Sequence, residues 1–369
     1  MSDISVLGKN WVSKKYNDQT VNFLKDNYNL SEIVSRLIAI RNIKLDEVEL
    51  FLNPKIKNLL PNPYILKDMK KSVDRAITAI TNSEKIGIFG DYDVDGATST
   101  AILGNYFNEI NQKVEIYIPD RKSEGYGPSK KGFEKLIDLG SKLIFTVDCG
   151  TLSFEPIEFS QNQNIDVVVL DHHQSEQNLP KAFSIVNPNR FDDLSRLNYL
   201  CAAGVCFMFL IALNKNLRES DWFKKNSIKE PNLINFLDLV SLGTVCDVVP
   251  LVGLNRALVS QGLQVIKKKS NQGIKILKNI CGIESNISTY HLGYILGPRI
   301  NAGGRVGKCS HGANLLISKD SKEIFKIANE LEGYNTERKI IENTMLNKIE
   351  KNISINKDEP VIVLSGHNW

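Results

Sequence analysis

The chain is 369 residues long and 42% hydrophobic, with 46 Lys and Arg against 42 Asp and Glu, a net charge of +4 and a pI near 8.5. That size supports a sizeable core spread over two or more domains, and the mildly basic balance is compatible with a nucleic-acid substrate without arguing for one. No run approaches the ~20 apolar residues that span a membrane, and the N-terminus MSDISVLGKNWVSKK has no apolar signal core. The six cysteines form no Cys-x-x-Cys pair, so the expectation is a soluble cytoplasmic protein with buried thiols.

Residues 1–70 read as a helical segment with Trp11, Phe23, Leu24, Ile33, Leu37 and Ile38 as apolar anchors, and Pro54, Pro61 and Pro63 mark a linker. Residues 71–250 read as an α/β domain. A helix from Met69 leads into the strand Ile86–Phe89, and Ala97–Phe107 is a helix. The strand Val114–Ile118, the helix Lys131–Leu139 and the strands Leu143–Val147 and Ile165–Leu170 follow. This alternation predicts a doubly wound, mostly parallel sheet, whose ligands bind outside the carboxyl ends of the strands. Ala202–Leu213 and Leu233–Leu242 read as buried helices.

Residues 251–355 read as a helical connector. It contains a Gly- and Arg-rich loop, Gly297–Gly307, and a long helix over Ser321–Ile353, about 30 residues or ~45 Å, of the kind that bridges domains. Pro360–Leu364 reads as a strand, and the sequence stops just after it, as a fragment of a longer protein would.

The acidic residues fall where the fold would gather them. Asp91, Asp93 and Asp95 follow the first strand, Asp148 follows the third, and His172 and His173 follow the fourth. Asp247 interrupts the apolar run Gly243–Leu251. Carboxylates so crowded need a cation to offset their charge, and a hard divalent ion suits them. A solvated acidic loop or helix caps, including Asp247 as a cap, are the plainer alternatives.

A two-metal phosphoester site needs several Asp, one of them between the ions, and one or two His. Asp91, Asp93, Asp95, Asp148, His172, His173 and Asp247 meet that inventory, and their oxygen-rich set favours Mn²⁺ or Mg²⁺ over zinc. In Gly297–Gly307, Arg299, Asn301 and Arg305 suggest a phosphate cradle, with a plain tight turn as the alternative. His291, His311 and His367 lack partners at metal spacing, and no Walker-type loop or Gly-x-Ser-x-Gly elbow is present.

Four stretches, Gly90-Asp-Tyr-Asp-Val-Asp-Gly96, Val147-Asp-Cys-Gly150, Asp171-His-His173 and Gly243-Thr-Val-Cys-Asp-Val-Val-Pro250, resemble the successive motifs of the DHH phosphoesterases. Their spelling, with Gly297-Pro-Arg-Ile-Asn-Ala-Gly-Gly-Arg305 and Phe51-Leu-Asn-Pro54, is similar to the RecJ family of single-stranded-DNA-specific exonucleases. The resemblance covers nearly the whole chain; Cys246, where alanine is usual, and Gly303 are mild departures.

The resemblance implies a 5′→3′ exonuclease of DNA repair and recombination that releases mononucleotides from single-stranded DNA with two Mn²⁺ or Mg²⁺ ions. By the same resemblance Asp93 and Asp95 ligate different metals, Asp148 bridges them, and His172 and Asp247 complete the second site. Asp91 is a further ligand or an orienting residue. His173 contacts the scissile phosphate, while Arg121, Arg299 and Arg305 hold DNA phosphates. For Arg121 a surface salt bridge is an equal alternative.

Residues 356–369 would begin a truncated second lobe (DHHA1), whose absence would leave a chain that binds metal but degrades DNA poorly. The implied partners are single-stranded DNA, a helicase and a single-strand-binding protein, for a monomer without membrane association. The alternatives are a DHH hydrolase of short oligoribonucleotides, cyclic dinucleotides or pyrophosphate, and an inactive DHH-fold replication scaffold.

Overall fold

A computed structural model describes residues 5, 8–269, 271–284, 286–352, 361, 363, 365 and 366. At its centre are five parallel strands: β1 (Ile86–Gly90), β2 (Val114–Tyr117), β3 (Leu143–Val147), β4 (Asp166–Leu170) and β5 (Ser184–Val186), in the order β2-β1-β3-β4-β5. The register pairs Ile86 with both Val114 and Leu143, Leu143 with Asp166, and Val168 with Ser184. Every residue of β1 and β3 is buried, which is why these strands read as continuous apolar runs rather than alternating ones. The short β5 went unread in the sequence because Ser-Ile-Val between Pro180 and Pro188 carries too little period to register.

The helices are, in order, α1 (Asp18–Tyr28), α2 (Glu32–Ile40), α3 (Val48–Leu52), α4 (Ile56–Leu59), α5 (Met69–Thr81), α6 (Val94–Glu109), α7 (Lys130–Asp138), α8 (Phe154–Asn162) and α9 (Ala202–Glu219). Then come α10 (Trp222–Lys225), α11 (Leu237–Cys246), α12 (Gly253–Lys269), α13 (Gln272–Ile280), α14 (Gly297–Val306), α15 (His311–Ile317) and α16 (Ser321–Asn352). One sheet face, through Ile88, Phe145, Val168 and Leu170, shares its core with α5, α6 and α9. The other, through Phe89, Ile144, Val167 and Val169, packs with Phe133 of α7 and Ile157 of α8. The first of these cores runs without a break into α11–α16, as far as Leu331.

Two expectations change. Of the N-terminal anchors, Leu24 and Ile38 are buried with Val48 in a small cluster of their own, whereas Trp11, Phe23, Ile33 and Leu37 are exposed. The hairpin of α1 and α2 is too small to bury both faces of each helix. Second, the Gly-rich segment Gly297–Val306 is a helix, not a loop. Pro298 sits in its first turn, where the missing N–H is not needed, and a π-helix, His291–Leu296, leads into it. Its amides are therefore engaged along the helix and form no phosphate cradle.

The first half of α16 buries Ile324, Ile327 and Leu331, while Ile340 and Leu346 in its second half face solvent. Of the strand expected over Pro360–Leu364, Val361 and Val363 are exposed and outside any strand. Its other three residues lie outside the described ones.

Candidate metal centre

The centre lies at the carboxyl ends of β1, β3 and β4, beside the place where strand order reverses between β1 and β3. Asp91 leaves β1, and Asp93 caps α6 by accepting the Gly96 amide at 2.9 Å. The turn between them is tight because residue 96 is glycine: a Cβ there would meet Asp91 atoms at 2.6–2.7 Å. Asp95, in the first turn of α6, accepts the amides of Ala202 (2.6 Å) and Ala203 (3.0 Å) at the start of α9. A second helix N-terminus thus holds this buried carboxylate.

Asp148 stands just past β3 in the left-handed region, at φ 60°. Asp247 is the C-cap residue of α11, and Val248 after it has φ 61°, a strained value for a β-branched residue. The cap reading of Asp247 therefore holds for its backbone, while its side chain faces the other acids.

These side chains converge. Donor atoms of Asp91, Asp93 and Asp148 lie within 4.8 Å of one another, as do those of Asp95, His172 and Asp247, and those of Asp148, His172 and His173. His172 Nε2 is 3.3 Å from Asp148 Oδ1, 3.7 Å from Asp95 Oδ2 and 3.6 Å from Asp247 Oδ2. Asp91 Oδ1, Asp148 Oδ1, His172 Nε2 and Asp247 Oδ2 are all buried without a hydrogen-bond partner.

Burial and the neighbouring Asp93 push Asp91 up to about 7. Burial, then Asp95 and Asp93, push Asp247 up to about 8. Burial raises Asp95 and Asp148 as well. Carboxylates that resist ionisation alone, with lone pairs aimed at shared gaps, fit divalent cations. Two adjoining sets, linked where Asp148 Oδ1 stands 3.3 Å from His172 Nε2, fit two of them.

Asp171 has the opposite character. Burial alone would raise it, but the hydrogen bond and charge of His173 hold it well below the usual carboxylate range. It accepts the amides of Thr151 (3.1 Å), His172 (2.7 Å) and His173 (3.3 Å), and His173 Nδ1 at 2.7 Å. That bond in turn raises His173 to about 9, against burial. Asp171 is thus an anchor for both histidines, a role its place in Asp171-His-His173 does not reveal. The other stays are Asn189, bonded to the His172 carbonyl, and Asn187, which donates to the His173 carbonyl at 2.9 Å.

The basic residues separate. Arg121 has no ion pair among the described residues; its guanidinium lies over the Tyr92 ring at 5.6 Å, and its amide donates to Cys309 Sγ. Gly304 of α14 packs on that same tyrosine, which places α14 beside the Asp91 turn. Arg305 on this helix is exposed, whereas Asn301 Oδ1 is buried without a partner. Arg299 is engaged elsewhere, bridging to Glu332 of α16 and donating to the Ile295 carbonyl at 2.7 Å. His311 pairs with Glu330, and His291 accepts from Ser288, so neither joins the centre.

Residues 85–244 match the DHH family, N-terminal domain. The fold and sequence together match a crystal structure of exonuclease RecJ bound to manganese, at 31% identity and a TM-score of 0.70, over 80% of this chain and 71% of that one. The chain belongs to the RecJ family. A RecJ from Thermus thermophilus in complex with Mn²⁺ is similar at 27% identity and a TM-score of 0.75, over 91% of this chain and 46% of that one. The single-stranded-DNA-specific exonuclease RecJ of Dickeya dadantii is 36% identical over 85% of this chain and 54% of its own length. The chain spans about half the length of the curated RecJ relatives it matches. Among the described residues no helix is long and apolar enough to cross a membrane.

Proposed function

We propose that this chain is the catalytic core of a divalent-metal-dependent exonuclease that hydrolyses single-stranded DNA from the 5′ end, releasing 5′-mononucleotides in repair and recombination. The observation that carries the reading is the pair of acidic sets, Asp91–Asp93–Asp148 and Asp95–His172–Asp247, adjoining where Asp148 Oδ1 approaches His172 Nε2, with Asp91 Oδ1, Asp148 Oδ1, His172 Nε2 and Asp247 Oδ2 unpartnered. Relatives named as single-stranded-DNA-specific exonucleases, and related structures holding Mn²⁺ or Mg²⁺, support it.

Each set would hold one Mn²⁺ or Mg²⁺, with Asp148 common to both. Such ions, when bound, supply Lewis acidity at the phosphate and lower the pKa of an attacking water.

The chain's own residues do the rest. The two helix N-termini at Asp93 and Asp95 hold carboxylates at fixed positions despite their mutual repulsion. Asp171 keeps the Nδ1 proton of His173, which leaves Nε2 as a cationic donor for a phosphate oxygen. Arg121, over the Tyr92 ring, and Arg305, exposed on the helix whose Gly304 packs on that ring, are free of ion pairs among the described residues and would serve as phosphate contacts. Arg299 supports α14 from behind through Glu332. A cytoplasmic monomer working with a helicase and a single-strand-binding protein belongs to the same proposal.

The test is degradation of single-stranded DNA labelled at either end, with Mn²⁺ and Asp148→Ala beside wild type. Mononucleotide release from the 5′ end by wild type alone supports the reading. Untouched DNA with cleaved dinucleotides would keep the metal centre and discard the exonuclease.

A further inference from the structure

The loop between β2 and α7 carries more than Arg121. Tyr126 stands between Gly125 and Gly127, both at positive φ (83° and 79°), and its hydroxyl reaches back across the centre. It lies 3.0 Å from the carbonyl oxygen of Asp148, and 3.1 Å and 3.4 Å from Nε2 and Nδ1 of His173, so it stands against the imidazole near both nitrogens and in line with neither. Nδ1 is also 2.7 Å from Asp171 Oδ1. An ionised carboxylate only accepts, so Nδ1 gives its proton to Asp171.

A phenol has one proton and two lone pairs. The proton goes to the Asp148 carbonyl, which can only accept. The oxygen rests against the His173 ring, whose Nδ1 is held by Asp171, so one side chain holds the peptide and the ring together. The second contact falls on the left-handed peptide of Asp148, whose carboxylate belongs to the Asp91–Asp93–Asp148 set and lies 3.3 Å from His172 Nε2 of the other set. The tyrosine ring itself meets Tyr92 and His173 edge-on and is 55% exposed. A side chain serving only the core would be buried.

We propose that Tyr126 is a positioning residue for phosphodiester cleavage, its hydroxyl fixing the His173 ring and the Asp148 peptide together. This rests on the nuclease reading above. Because the same loop bears Arg121, the clamp also sets where that guanidinium stands relative to His173. The competing role for an exposed tyrosine is a platform on which a nucleobase stacks, which needs the ring but not the hydroxyl.

Tyr126→Phe and Tyr126→Ala separate the two. Steady-state cleavage of labelled single-stranded DNA with Mn²⁺ is measured for wild type and both variants, alongside Mn²⁺ binding. Imidazole ¹⁵N spectra of the metal-free chain at pH 7 are recorded as well, with the His173 signals assigned through His173→Ala. Tyr126→Phe is expected to lower kcat about tenfold, the scale of one well-placed hydrogen bond, with KM and Mn²⁺ affinity within about twofold. Its His173 Nε2 signal is expected to move.

An unmoved signal, or a moved signal with wild-type kcat, overturns the proposal. So does a silent Phe variant beside an Ala variant with raised KM, which is the stacking outcome. Should wild type cleave no DNA, the nuclease reading falls by itself. The Nε2 signal then still decides the clamp: a shift supports it, and no shift overturns it.

Discussion

His172 Nε2 lies 3.3 Å from Asp148 Oδ1, and both atoms are buried without a hydrogen-bond partner. Asp95 and Asp247 close the same gap at 3.7 and 3.6 Å. Lone pairs converging on one point are unfavourable without a cation, so the metal-free centre is a source of instability as well as of chemistry.

Asp148→Asn keeps the shape, tolerates the left-handed backbone and replaces a carboxyl that resists ionisation with a neutral amide. In EDTA at pH 8 the variant is expected to be more stable than wild type by about 1–2 kcal/mol. Differential scanning calorimetry reads this as a raised Tm. A lowered Tm would mean the carboxylate makes bonds that this account denies it.

The pH dependence has a definite sign. Asp91 at about 7 and Asp247 at about 8 lie above the ordinary carboxylate value, and His173 at about 9 lies above the ordinary imidazole value. Groups with raised folded pKa values contribute stability at low pH and lose it as pH climbs through those values. The metal-free chain should therefore have a lower Tm at pH 9 than at pH 6. Divalent ions must displace the carboxyl protons, so Mn²⁺ affinity should rise between pH 6 and 8.5. Titration calorimetry in buffers of different ionisation enthalpy should register proton release at pH 6.5. A flat affinity would contradict the raised carboxyls.

Gly96→Ala tests the turn. Its Cβ would press on Asp91 backbone atoms at 2.6–2.7 Å, and backbone cannot swing aside. A loss of about 1–3 kcal/mol in urea unfolding is expected despite the better helix propensity of alanine, together with weaker Mn²⁺ binding. A neutral or stabilising result would mean that Asp91 has room to move.

Arg299 and Arg305, alike in sequence, should part in behaviour. Arg299→Ala strips a partner from Glu332 at the mostly buried α14–α16 contact and should lower stability by about 1–2 kcal/mol. Arg305→Ala, exposed and unpaired among the described residues, should leave Tm unchanged and raise KM for single-stranded DNA several-fold. Thermal melts and initial rates on the two variants decide the matter.

Much of this was legible in the chain because strand ends and carboxylates coincide. Asp91, Asp148 and His172 each follow an apolar run, and a parallel sheet leaves such positions side by side. What escaped the sequence depends on packing. Gly297–Val306 reads as a loop from its glycines and proline, yet those glycines serve close contacts: Gly297 with Cys246, Gly304 with Tyr92. Arg299 and Arg305 share one motif, and only the position of Glu332, 33 residues on, tells them apart. Asp171 appears in the sequence only as part of the Asp171-His-His173 motif, and its role as an anchor for His173 emerges from four hydrogen bonds. Tyr126 has no sequence signal of its own, since its partners lie 22 and 47 residues away.

In the proposed centre two metal sites adjoin where Asp148 approaches His172. The most direct measurement is Mn²⁺ stoichiometry by metal analysis, with electron paramagnetic resonance to read coupling between ions. Two Mn²⁺ per chain with an exchange-coupled spectrum are expected, with Asp148→Asn reduced to one uncoupled ion or none. A wild-type chain that binds a single uncoupled ion, or an Asp148→Asn chain that still holds a coupled pair, would contradict that.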